Sequence, residues 1–364
     1  MNRAATQQPW IQSAGVDSAF ILAPALLATA IALLFVASGH GEADVSLWTW
    51  ALLVIGIDVA HVYSTLYRTY LDPVERRALS GWLIATPLAG WIAGVLLYSI
   101  SAMAFWTLLA YTAVFHFVRQ QYGFLMLYAR AERALPRVCG LIDRATIYGA
   151  TLFPLLYWHT HLPRPFSWFI DGDFLALPGW LWSVAAPFYL ALPAAYLVKE
   201  TWLVRRERRI NLPRNLLVVG TAISWYVGII AAAGDLVFTL TNVVAHGIPY
   251  IALTCIYARR RDQRARVARS WFVAGALPLV LLLLVALAFV EEGFWDGFVW
   301  REHLALFPGF SMLPQVNSVS LLTLLVPLLA LPQITHYVLD GVIWRLRTHP
   351  QWRATLFFRP EANT

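Results

Sequence analysis

Ten mostly apolar stretches of about 20 residues each follow one another along this chain, and the polar segments between them are too short to fold separately. An α-helix of that length covers roughly 30 Å of hydrocarbon at about 1.5 Å per residue. The stretches run at about 19–37, 47–66, 81–100, 103–129, 145–163, 176–198, 214–234, 238–258, 270–290 and 319–345. Backbone groups in hydrocarbon must be satisfied within the segment that carries them. The expected fold class is therefore all-α: a polytopic integral membrane helical bundle with about ten transmembrane helices, in a single transmembrane domain over 1–364. The composition agrees, with 59% hydrophobic and only 13% charged residues. A soluble surface needs roughly a quarter of its positions charged.

The charge pattern sets an orientation. Segments 67–80, 130–144, 199–214 and 259–269 hold 3, 4, 6 and 6 lysines plus arginines, and the tail from Arg345 holds 4. The alternate loops carry Glu42 and Asp44, Asp171 and Asp173, and Glu291, Glu292 and Asp296, with Arg164 and Arg301 as their basic residues. This alternation follows the positive-inside rule for an even number of spans, so both termini are expected on the cytoplasmic side, in a bacterial inner membrane. Tryptophans such as Trp48, Trp82, Trp168, Trp180, Trp271 and Trp300 gather near expected helix ends, as an interfacial belt does. The net charge of +7 is thus spent on topology, and no nucleic-acid partner is expected. Cys139 and Cys255 sit near cytoplasmic ends without a CxxC spacing, so no disulfide is expected. The N-terminus shows no cleavage site before its first apolar run, which is expected to remain as an uncleaved first helix. The stretch 291–318 reads as a re-entrant or interfacial segment on the outer side.

Polar groups at membrane depth are costly and point to function. Four helices carry a histidine well inside the span. The second reads GIDVAHVYSTLYRTYLDP, with Asp58 and His61 at i, i+3. The fourth reads TAVFHFVRQQYGF, with His116, Arg119 and Gln120 on neighbouring faces. The eighth reads TNVVAHGIPYIAL and sets Asn242, His246 and Tyr250 at successive i+4 steps. The tenth reads LPQITHYVLDGVIWR and sets His336 and Asp340 at i, i+4, with Gln333 three residues before the histidine. Residues three and four apart share a helix face, so each histidine has a hydrogen-bonding companion beside it. Measured from the nearest cytoplasmic arginine, His61 and His336 lie roughly 10–14 Å deep and His116 and His246 roughly 19–21 Å deep, a spread that helix tilt can close. Imidazoles from four helices suit iron, copper or zinc. The alternative is that each histidine serves only a helix–helix hydrogen bond.

Other polar groups point less directly to chemistry. His159 and His161 fall near the outer end of the fifth span, and His40, His303 and His349 in loops or tails. Arg119 is a candidate partner for Asp58, Asp340 or a substrate oxygen. Asp143 and Arg144 read as a cytoplasmic helix start, and Asp235 as a cap in the turn before the eighth helix. There is no Walker loop, GxGxxG, GxSxG or HExxH, and the paired-histidine boxes of membrane desaturases are missing as well.

At the four histidines the sequence resembles the Brp/Blh family of integral membrane carotene dioxygenases, which cleave β-carotene to retinal with non-haem iron. ITHYVLDGVIWR looks like that family's last motif and FHFVRQQYGF like its second histidine segment. AHVYSTLYR and AHGIPY stand where its first and third fall. The third family motif has a further histidine four residues on, where this chain has Tyr250, and the His336-to-Asp340 spacing also departs. The match covers four patches, under a fifth of the chain. The resemblance implies that His61, His116 and His246 are ligands and that His336 belongs to the final motif.

The expected function is a membrane-embedded, histidine-ligated non-haem iron oxidoreductase of oxygenase, hydroxylase or desaturase type, acting with O₂ on a carotenoid, isoprenoid or acyl chain. Its metal, one or two iron ions with copper, zinc or haem b as alternatives, would be held by His61, His116, His246 and His336, with Asp58 and Asp340 as ligands or supports. Tyr250, Arg119, Gln120 and Asn242 would orient ligands or substrate, and an electron-donor protein is a candidate partner. A proton-coupled transporter using the Asp/His pairs and a haem-b electron carrier stay open beside it. The oligomeric state is not legible.

Overall fold

A computed structural model describes residues 8–132, 135–208, 210–265, 276–347 and 349–358. The helices in chain order are α1 (Ala14–Ala37), α2 (Leu47–Arg68), α3 (Pro73–Ala78), α4 (Ser80–Ile100), α5 (Ala102–Tyr128), α6 (Arg137–Thr160), α7 (Trp180–Glu207), α8 (Leu212–Ala231), α9 (Asp235–Arg264), α10 (Leu277–Trp300), α11 (Val319–Leu329), α12 (Leu331–Ile343) and α13 (Pro350–Leu356). No strand occurs among the described residues. Several helices contain π-helical stretches, the longest being Ala51–Val59 in α2, directly before His61. Such insertions recur at functional sites because they re-aim the side chains that follow.

Among the described residues, eight helices are long and apolar enough to cross a membrane, or nine if the bent pair α11–α12 is one span. The expectation of ten is corrected at two places. The fifth expected span folds as α6, but its Arg137, Asp143 and Arg144 and its scattered polar residues Thr146, Thr151, His159 and Thr160 keep it below that apolar standard. The tenth is broken, because α11 and α12 meet at Ala330 with a 42° bend. Pro327 and Pro332 flank the break, and each removes a backbone donor from the helical ladder. Glu291, Glu292 and Asp296 were expected in an outer loop, yet α10 continues through them to Trp300. Trp271, the start of the ninth expected span and both chain ends lie outside the described residues.

The chain divides into two compact units, with boundaries inside α5 and α9. The first comprises Met1–Asp44 and Val114–Pro249. In it α6 lies along α7, and Gly149 makes the approach possible, since a Cβ there would stand 2.2 Å from Leu192 Cδ1. Small residues are what bring membrane helices close. Asp17, fully buried, accepts hydrogen bonds from the backbone N–H groups of Ile11 at 2.5 Å and Gln12 at 2.9 Å and from the Tyr128 hydroxyl at 3.2 Å. Asp143 is not at a helix start but six residues inside α6, within a buried charge network. There the Arg214 guanidinium meets Glu132, Glu200 and Asp143, and Lys199 meets Asp143 and Glu200. Asn211 donates to Glu132 at 2.9 Å and Asn215 donates to Glu200 at 2.9 Å.

The second unit comprises Val45–Ala113 and Tyr250–Thr364. Its core gathers Ile55, Val59, Ala60, Tyr67, Ala258, Val280, Leu284, Ala288 and Phe307. Here α4 packs on α11 and α12 through Gly90 and Gly94, where a Cβ would fall 2.7 Å from Ile334 and from Pro327. Arg68 is completely buried, pairs with Glu75 at 3.0 Å and stacks on Tyr257 at 4.0 Å and Trp352 at 4.8 Å. Trp352 also donates to Glu75 at 2.9 Å, which ties α13 to α3.

Candidate metal centre

Each unit holds a pair of the sequence-selected histidines. In the first unit His116 on α5 and His246 on α9 are buried with ring centroids 4.9 Å apart, and the His246 ring lies flat on Phe117 at 3.5 Å. The Gln120 side chain donates to the His246 backbone carbonyl at 2.9 Å, and Asn242, one turn earlier, donates to the Phe238 carbonyl at 3.0 Å. The Gln120 bond ties α5 to α9, and the Asn242 bond lies within α9. In the second unit His61 on α2 and His336 on α12 are buried with centroids 4.9 Å apart, and Tyr250 stands edge-on to both rings at 5.7 and 5.0 Å. The ligand nitrogens of all four histidines lie within 4.8 Å of one another, close enough to hold a metal ion.

A hydrogen-bonded chain supports the His336 ring. His336 Nδ1 is 2.7 Å from Thr65 Oγ1, Thr65 Oγ1 is 2.9 Å from the Tyr250 hydroxyl, and that hydroxyl donates to Asp340. The direction of each bond follows from counting protons. Tyr250 gives its one proton to Asp340, so across the next bond Thr65 is the donor to Tyr250 and its oxygen accepts from His336 Nδ1–H. The proton then sits on Nδ1 and leaves the Nε2 lone pair for a metal, which is the tautomer control that outer carboxylates impose on ligating histidines. Tyr250 was expected to orient ligands or substrate, and its hydroxyl stands between Thr65 and Asp340, beside the His336 ring. Asp340 lies 3.9 Å from His336 Nδ1 and Asp58 lies 3.6 Å from His61 Nδ1. Both stand beside the histidines, and neither belongs to the close group, which is all imidazole among the described residues.

Arg119 is not at the centre. Its guanidinium donates to the Tyr148 hydroxyl at 2.6 Å and lies over Tyr122 on the exposed side of α5. His159 bonds the Leu155 carbonyl at 2.6 Å, stacks on Phe174 and stays outside the four. One participant escaped the sequence reading, and one acid was misplaced by it. Thr65 follows His61 by one helical turn, so its place on that face was available from spacing alone. Glu291 is buried on α10, where its Oε1 accepts from Gln333 at 2.5 Å while Oε2 has no hydrogen-bond partner.

The relay makes a measurable demand. Thr65→Val removes both of its bonds and is expected to weaken metal binding by about 10–100-fold, the usual cost of losing an outer-shell partner. Tyr250→Phe should fall in the same range, since it cuts Asp340 from Thr65. Competition with a metal-binding dye in detergent measures both. Unchanged affinity in both variants would show that the chain of bonds does not govern the ligand tautomer.

Comparison with family models, with curated proteins and with solved structures finds no match to this chain.

Proposed function

We propose that this chain is an integral membrane oxidoreductase whose non-haem iron is held by His61, His116, His246 and His336 and which oxidises a lipophilic substrate with O₂. The observation that carries the reading is the group of four buried imidazoles within 4.8 Å. Imidazole-rich sites suit iron, copper and zinc, and the motif-level resemblance to Brp/Blh carotene dioxygenases favours iron. A bound iron would supply the one-electron and O₂ chemistry that side chains lack. The chain's own residues do the rest. The four imidazoles bind, while Thr65, Tyr250 and Asp340 orient His336 and fix its tautomer. Phe117, flat against His246, blocks water from that face. A bis-histidine haem is a poorer fit, because its macrocycle would need the space that the other two imidazoles occupy. The substrate class follows from location, since a site within apolar helices is reached from the bilayer. A carotenoid, isoprenoid or acyl chain can enter there and a soluble metabolite cannot.

Carboxylates within the apolar helices favour a second reading. Asp58 on α2 and Glu291 and Glu292 on α10 are the kind of intramembrane acids that proton-coupled transporters use. Substrate-dependent O₂ uptake by purified, iron-loaded protein, measured against a panel of carotenoids, isoprenoids and fatty acyl chains, separates the two. Uptake with at least one member, abolished in His246→Ala, is the expected result. No uptake across the panel, with proton-coupled flux in vesicles lost in Glu291→Gln, would replace the oxygenase by the transporter. The same assay bears on the electron donor. Cleavage that places both oxygen atoms in product runs without added reductant, whereas hydroxylation or desaturation requires one.

A further inference from the structure

Two arginines face outward from the apolar part of the first unit without an acid to neutralise them. Arg119 on α5 and Arg144 on α6 are both exposed. They share one aromatic platform: the Arg119 guanidinium carbon is 5.0 Å and the Arg144 carbon 5.8 Å from the centroid of the Tyr122 ring. Tyr148 stacks on Tyr122 at 5.3 Å and accepts the Arg119 hydrogen bond at 2.6 Å. Among the described residues neither guanidinium has a carboxylate partner. Two buried arginines of the same chain do, Arg214 with three acids and Arg68 with Glu75.

An arginine at the edge of hydrocarbon is tolerated when its head reaches the interface or an anion. The apolar helix that carries Arg119 runs from Ala102 to Ala131 over 30 residues, about 45 Å, so it exceeds the roughly 30 Å of hydrocarbon by several turns. Counted from Ala102, Arg119 comes about 26 Å along, near the inner hydrocarbon boundary where lipid phosphates lie. The planar guanidinium fork matches phosphate oxygens, and both guanidinium groups rest against the Tyr122 ring.

From this geometry we infer that Arg119, Arg144, Tyr122 and Tyr148 form a headgroup site for an anionic phospholipid of the cytoplasmic leaflet. The ligand is recognised by its net negative charge through two stacked arginines, and its acyl chains lie along the exposed apolar faces of α5 and α6, where Phe115 and Leu152 point outward. The inference rests on the membrane-spanning reading and is independent of the metal centre.

Native mass spectrometry of the purified full-length protein tests it, with phosphatidylglycerol and phosphatidylcholine of the same chain length titrated in detergent. Phosphatidylglycerol is expected to bind more tightly. Each arginine near a phosphate plane accounts for about a fivefold factor, so Arg119→Gln with Arg144→Gln should weaken phosphatidylglycerol by about 25-fold and leave phosphatidylcholine unchanged. Arg119→Lys with Arg144→Lys should restore most of the loss, because the charges return. Arg205→Gln, an exposed arginine on α7, should change nothing. Arg144→Gln alone, at an exposed position whose guanidinium rests on the Tyr122 ring, keeps the test decisive if the double variant folds poorly. Equal affinity for the two lipids in the wild type, or an unchanged double variant, would overturn the site. Displacement of the lipid by millimolar inorganic phosphate would overturn it too, since the recognised species would then be a free anion. Bound iron should be the same in every one of these variants, so failure here leaves the proposed oxidoreductase standing.

Discussion

Alanine in place of any one of His61, His116, His246 or His336 is expected to strip most of the proposed metal from the purified protein while leaving it folded and monodisperse. The loss should exceed the roughly 10–100-fold that follows removal of an outer-shell partner, because a ligand nitrogen itself disappears. All four side chains are buried, and their ligand atoms fall within 4.8 Å, so no solvent-facing group stands ready to replace a lost imidazole. Cavity formation is a competing cause of damage, since a buried large-to-small change destabilises on its own. His159→Ala controls for it: this histidine is part-buried on α6, packs on Phe174 and lies outside the group. Elemental analysis per chain is the measurement. Iron retained in all four variants, or lost equally in His159→Ala, would remove the site assignment. A thermal shift adds a second readout. Metal that binds only the folded state stabilises it by about 2.7 kcal/mol at a hundred times Kd, so chelation should lower the unfolding temperature of the wild type and not of the alanine variants.

How much of this was legible in the sequence depends on what periodicity can report. Apolar runs and their length gave the positions of nearly every helix, because hydrocarbon thickness dictates both. The four histidines stood out because each is expensive at depth. Spacing along one helix says which residues share a face, and it does not say which face meets which neighbour. Asp340 and Tyr250 were each paired with the histidine on their own helix, yet both work through Thr65, a residue on a third helix whose hydroxyl carries no charge to draw attention. Arg119 was expected to turn inward because it lies three residues from His116. Its long side chain instead reaches sideways to Tyr148 and Tyr122, a choice that only tertiary packing decides. Glu291 was misplaced for a different reason. Acidic residues beyond an apolar run read as an outer loop under the charge rule, whereas α10 continues through them to Trp300 and buries Glu291 against Gln333. The break at Ala330 was hidden because the apolar run around it is continuous, and Pro332 alone is tolerated at the start of a helix.

Arg214→Met is expected to cost the most stability of any single substitution that leaves the histidines alone. Arg214 has no exposed surface and joins Glu132, Asp143 and Glu200, which come from three other segments of the first unit. With it, two cations face three carboxylates; without it, Lys199 alone must serve Asp143 and Glu200, and Glu132 keeps only the Asn211 amide. Removing one partner of a buried ion pair typically costs about 3–5 kcal/mol, because the charge left behind stays desolvated. Methionine fills much of the arginine volume, so the loss reads on charge more than on a cavity. Arg214→Lys should be intermediate, since an ammonium restores the charge but cannot present a fork to three carboxylates at once. Adding Glu132→Gln to Arg214→Met should recover part of the loss, as one stranded carboxylate is neutralised and Asn211 can still bond the amide. Thermal unfolding in detergent, followed by fluorescence size-exclusion chromatography, orders the variants. An Arg214→Met protein as stable as Arg205→Gln would mean that water, rather than arginine, satisfies these acids, and the network would then be a surface feature of the folded unit.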